Sequence, residues 1–341
     1  MHRLCLISLL AAGPWACDDA ADPAPEAAAT LAVKADIDDQ LAALYAAAVA
    51  LQAAAPAPDD DGWNATDDAA AVAAMRAEWR KARVAYERIE GAIAVLFPEL
   101  DAATDERYDG FIEGGADDDL FDADGVTGVH AVERILWADA HPAHVVAFEA
   151  GLPAYAPAAF PANRAEAEAF KSALAQRLVD DTAAMRDDFA PLALDAAAAF
   201  RGVIGSLAEQ AEKIGLASTG EDESRYAQHT LADMRANLAG SEATYAHFRG
   251  WIRAEGGDDL DADIIARLAA LRAALDALPG DALPPVPAGF DADAPSAEHL
   301  ATPYGQLFAL VAAEADPDRP GSLVAQMSAA ADLIGIPQIP E

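Results

Sequence analysis

The sequence predicts an all-α protein of two packed helical bundles. Three observations carry this expectation. Apolar residues recur at helical spacing through long Ala/Leu-rich stretches, no stretch alternates with period two for long enough to make a sheet, and Pro/Gly/Asp loops separate the stretches. The first helix runs from Ile37 to Ala55, with Leu41, Leu44, Tyr45, Ala48 and Leu51 on one stripe, and "PAPDDDG" ends it. The second runs from Asp67 to Phe97 and stops at Pro98, whose ring cannot continue a helix. Further helices are expected at Gly128–Ala138, Asn163–Phe189, Leu192–Gly215, Asp222–Glu255, Asp261–Leu278, Ser296–Ala315 and Gly321–Ile334. The loop "AGLPAYAPAAFPANR" from Ala150 to Arg164 is the expected seam, dividing a helical region 36–338 into halves of about 36–155 and 163–338.

The 341 residues, 53% of them hydrophobic, suffice for a sizeable core. The net charge of -36 excludes nucleic acid as a partner, disfavours anionic membrane surfaces and favours cations. Single clusters such as Asp59-Asp60-Asp61 and Asp117-Asp118-Asp119 read as solvated loops and helix starts.

Residues 1–17, "MHRLCLISLLAAGPWAC", have the basic start, apolar run and small residues of a secretion signal. The expected location is therefore periplasmic or at the cell surface. Cys17 follows small residues as at a bacterial lipid-attachment site, but Pro14 stands where an aliphatic residue belongs, so lipidation at Cys17 and simple cleavage nearby stay open. Cys5 leaves with the signal, which removes any disulfide pair and any thiolate metal site. Residues 18–35, including "DDAADPAPEAAAT", read as a flexible tether.

The stretch "GVHAVERILW" places His130 and Glu133 three residues apart, on one face of a helix, where an imidazole and a carboxylate can share a cation. Such a pair also arises by coincidence in so acidic a chain. The zinc-peptidase motif is absent, because Arg134 stands where its second histidine belongs. The segment "LFDADGVTGVHA" has the central turn of a calcium loop but lacks its end ligands, at Leu120 and Ala131.

Gly128, His130 and Glu133 match the Gly-x-His-x-x-Glu motif of the imelysin-like family of secreted bacterial proteins, which the sequence resembles. "EWRKARVAYERIEGAIAVLF" followed by "PELDAATDERYDGF" is similar to a helix and Leu-Asp segment of the family's EfeO-type iron-uptake branch, and "GEDESRYAQHTLADMRANLAGSEATY" resembles a third family block. In that block Ala227, Gln228 and His229 depart from the usual polar residues, which puts the second half of the site in question.

The resemblance implies two four-helix-bundle-like halves with the His-x-x-Glu pair near their interface. It also implies iron binding or uptake. One imidazole with several carboxylates suits iron, leaving zinc, copper and calcium as competitors. Glu90 and Asp101 are the expected further ligands, with Arg83 and Arg107 balancing charge around them. His229 is expected to pair with Asp233 on its own helix. The expected partners are a metal ion and an iron transporter or receptor in the envelope. The alternatives are a metallopeptidase with an unconventional site and a non-catalytic scaffold or adhesion module.

Overall fold

The computed structural model describes residues 24–64 and 66–336. The expected signal, Cys17 and the first part of the expected tether lie outside the described residues. In chain order the helices are α1 (Pro25–Ala54), α2 (Ala69–Glu87), α3 (Glu90–Leu96), α4 (Pro98–Asp105), α5 (Tyr108–Glu113), α6 (Gly128–Leu136), α7 (Ala143–Glu149), α8 (Arg164–Ala169), α9 (Ala175–Phe189), α10 (Ala196–Leu216), α11 (Thr230–Ala254), α12 (Asp258–Asp276), α13 (Ala297–Leu300), α14 (Pro303–Ala315) and α15 (Leu323–Leu333). A π-helical turn, Phe170–Leu174, joins α8 to α9. The described residues contain no strand, and none of their helices is long and apolar enough to cross a membrane.

The expected tether is corrected from Pro25 onward, where α1 already begins. Proline fits the first helical position, and Ala29 and Val33 extend the stripe of Ile37, Leu41 and Leu44 into the core. The expected helix Asp67–Phe97 is two, since the chain turns at Arg88 and Ile89. That turn delivers α3 to α10 at very close range: a Cβ on Gly91 would lie 2.3 Å from the Gly202 carbonyl oxygen. The expected helix Asp222–Glu255 starts only at Thr230, leaving 222–229 as a folded turn. The short helices α4, α5 and α7 are additions that periodicity could not show, being too brief to display a stripe.

Buried apolar residues form two clusters. One joins the first part of α1 to α10, α11, α12, α14 and α15, through residues such as Leu41, Phe200, Met234, Leu268 and Met327. The other joins the end of α1 to the start of α2, α6 and α9, through Leu51, Trp79, Val129, Val132 and Leu178. Helices α1, α2 and α9 contribute to both clusters. Where α2, α3, α4, α6, α10 and the 222–229 turn approach one another, many of the buried side chains are charged, among them Arg83, Glu87, Glu90, Glu133, Lys213 and Glu223.

Candidate metal centre

Helix α6 is buried along its whole length, so its polar side chains must find partners inside the protein. Its entry depends on Gly128, which has a φ of +81° and sits so close to α4 that a Cβ would lie 2.4 Å from the Thr104 carbonyl oxygen. The Trp79 indole donates to the Val129 carbonyl at 2.9 Å and ties α6 to α2. These contacts explain why a glycine and a tryptophan accompany the histidine motif.

His130 and Glu133 meet as their spacing predicts, with His130 Nδ1 2.8 Å from Glu133 Oε2. The other oxygen of Glu133 accepts from the backbone N–H groups of Tyr226 at 2.9 Å and Ala227 at 2.7 Å. Both oxygens of Glu133, expected as a ligand, are thus engaged within the protein, one against the ring and the other clamping the 222–229 turn. The turn needs only backbone N–H groups at 226 and 227, so the departure at Ala227 leaves this contact intact. Gln228 adopts a φ of +52° and donates to the Arg225 carbonyl, while His229 Nδ1 lies 2.9 Å from Asp233 Oδ1 in a buried pair.

The far side of the imidazole faces two carboxylates that sequence reasoning missed. His130 Nε2 lies 3.3 Å from Glu223 Oε1 and 3.4 Å from Asp105 Oδ1. One atom from each of these three residues lies within 4.8 Å of the others, close enough for all three to hold one ion. Asp105 was legible in principle, standing one helical turn after Asp101 on α4. Glu223 was hidden by the helical reading of its segment.

Glu90 and Asp101, the expected further ligands, lie outside the convergent group at His130. Glu90 Oε1 accepts from Lys213 Nζ at 3.0 Å and Oε2 from Asn237 Nδ2 at 2.8 Å, so this acid belongs to a neighbouring group made with Glu87 and Glu223. Asp101 accepts from the Tyr86 hydroxyl and falls in neither convergent group among the described residues. Asp105 and Glu223 stand beside His130 instead. Glu90 and Asp101 do line, with Asp105, Glu106, Arg107, Glu209 and Glu223, a cavity of about 240 Å³ leading up to the cluster.

Arg83 is more central than a balancing charge at the edge. It is fully buried and donates to Asp105 and Glu87, lies 3.4 Å from Glu223 and pairs with Asp233 at 3.8 Å. Arg107 Nη1 is 3.7 Å from Glu223 Oε2. Even so, carboxylates outnumber bases here, and burial makes each surplus negative charge costly. Burial pushes the Glu90 carboxyl well above its usual range although Lys213 opposes the rise, and Glu87 behaves alike. Burial also lifts Glu209 to about 7 and Asp101 to about 6.

Glu223 goes the other way: burial works against its charge, but Lys213, the His130 hydrogen bond and Arg83 hold it well below the carboxylate range. His130 is raised well above the usual histidine value, since hydrogen bonds to Asp105, Glu133 and Glu223 outweigh its burial. A buried imidazole facing the oxygens of two acids, in a neighbourhood where acids outnumber bases, suits either a proton or a hard or borderline metal cation.

The family profile described as Imelysin (Peptidase M75) matches residues 28–313. The chain belongs to the imelysin family. Among solved structures, an imelysin-like protein from Psychrobacter arcticum 273-4 is similar at 15% identity and a TM-score of 0.49, over 92% of this chain and 98% of that one. No curated protein matches the chain. In this imelysin-family chain the Gly-x-His-x-x-Glu motif is accounted for residue by residue: Gly128 permits the approach to α4, His130 faces the convergent oxygens, and Glu133 holds the ring and the opposite turn.

Proposed function

We propose that this protein is a secreted metal-binding protein whose cargo is iron, captured by His130 Nε2 with Asp105 and Glu223. The observation that carries the reading is the convergence of those three donors at the end of an acidic cavity. One imidazole and two carboxylates form a donor set for ferrous or ferric iron, and the competitors zinc, copper and calcium are separated from it by analysis rather than by geometry. The signal-like N-terminus supports action outside the cytoplasm, with a transporter or receptor in the envelope taking the ion onward. The peptidase alternative gains nothing at position 134, where Arg134 is buried against Glu149 and over the Tyr108 ring, 3.7 Å from its centre.

Anaerobic titration with ferrous ion tests the reading. Saturable binding is expected, weakened about 100-fold or more by Glu223→Gln and by His130→Ala, because each removes a donor from a three-donor set. Equal affinity in the wild type and both variants would overturn it. Metal analysis of protein taken from its native envelope then identifies the ion.

A further inference from the structure

Beside the His130 site lies a second convergent group, formed by Glu87, Glu90 and Glu223, all buried. Carboxylates gathered in one place would by themselves signify little. Here a cation is already seated among them, the ammonium of Lys213. Its Nζ lies 3.0 and 3.1 Å from the two oxygens of Glu87, 3.0 Å from Glu90 Oε1 and 3.7 Å from Glu223 Oε2. Lys213 is itself 1% exposed, and a lysine so deeply buried requires compensation of this kind.

The cage is also held from behind. Gln210 Nε2 donates to Asn237 Oδ1 at 2.7 Å, and Asn237 Nδ2 donates to Glu90 Oε2 at 2.8 Å, which fixes the one cage carboxylate that Arg83 does not touch. The close crossing of α3 and α10 at Gly91 and Gly202 brings Glu90, next to Gly91, alongside the helix that carries Lys213. Glu223 spans the two groups, with Oε1 toward His130 and Oε2 toward Lys213. That is the arrangement of a carboxylate bridging two cations, one of which is covalently part of the chain.

We propose that Lys213 fills with its own ammonium a second cation site, bridged to the His130 site by Glu223, and so limits the protein to one ion where its carboxylates could hold two. The inference rests on the metal-site reading for the first ion, while the second site stands on Lys213 and its three acids. Removing the ammonium leaves three buried carboxylates around a hole of ammonium size, and a small divalent cation that prefers oxygen donors restores the lost charge.

The test uses manganous ion, which is stable in air and favours oxygen ligands, with equilibrium dialysis for stoichiometry and electron paramagnetic resonance for coupling between ions. The wild type and Lys213→Arg are expected to bind one ion with an uncoupled signal. Lys213→Met is expected to bind two with a spin-coupled signal, and Glu90→Gln combined with Lys213→Met to return to one. One uncoupled ion in Lys213→Met would overturn the proposal.

The double variant His130→Ala, Lys213→Met separates the two readings. It is expected to keep one ion in the cage; if the wild type binds none and this variant still binds one, the His130 reading fails and the Lys213 reading stands. Should Lys213→Met fold poorly, Lys213→Gln offers a second measurement, in which manganous ion is expected to raise the melting temperature more than in the wild type. Absence of that extra rise counts against the cage.

Discussion

At the scale of single residues, the site depends on how its imidazole is held. Glu133 joins His130 to the backbone at Tyr226 and Ala227, so Glu133→Gln keeps the size of the side chain but weakens both attachments. An affinity for ferrous ion lower by about 10- to 100-fold is expected, less than the loss on removing Glu223, since orienting partners commonly contribute that much. Comparison of the two variants in one titration series checks the ranking. Gly128→Ala probes a backbone requirement instead: a φ of +81° and a carbonyl 2.4 Å from the new Cβ predict a loss of roughly 2 kcal/mol or more, measured by urea unfolding.

At the scale of helices and turns, pH reports how the charged segments are assembled. Glu209 at about 7 and Asp101 at about 6 have folded-state values above their ordinary ones, and His130 is likewise raised. Each such group binds its proton more tightly in the folded protein, so its contribution is complete below the ordinary value and disappears as pH rises through the folded one. The metal-free protein is therefore expected to melt at a higher temperature at pH 5.5 than at pH 8. Ion binding has the opposite dependence, because a cation at His130 Nε2 must displace the proton; affinity should fall as pH drops from 8 to 6. Calorimetry at three pH values, with and without ferrous ion, tests both signs.

The same elements show what could be read in advance. Long helices were legible because Leu41, Leu44, Ala48 and Leu51 repeat at the helical period and bury as a stripe. The His130–Glu133 contact was legible because three residues make nearly one turn. Asp105 and Glu223 were not, since their meeting with His130 depends on how α4 docks against α6 and on a folded turn that apolar spacing does not describe. The placement of Glu90 escaped for a related reason: its partner Lys213 stands on a helix far away in sequence.

For the whole molecule, the net charge of -36 acts at longer range. Repulsion among exposed carboxylates raises the free energy of the compact state, and salt screens it over about 8–10 Å at physiological strength. Added sodium chloride is therefore expected to raise the melting temperature of the metal-free protein between 10 and 300 mM, with most of the gain at the low end; a flat response in a thermal scan would contradict this. The gathering of buried charged side chains has a further consequence, for the order in which the chain can fold. Glu87, Glu90, Asp105 and His130 leave the ribosome well before Lys213 and Glu223. Until α10 and the 222–229 turn emerge, Glu87 and Glu90 lack the ammonium of Lys213, so docking of the later helices completes a charge balance that the nascent N-terminal portion cannot reach alone.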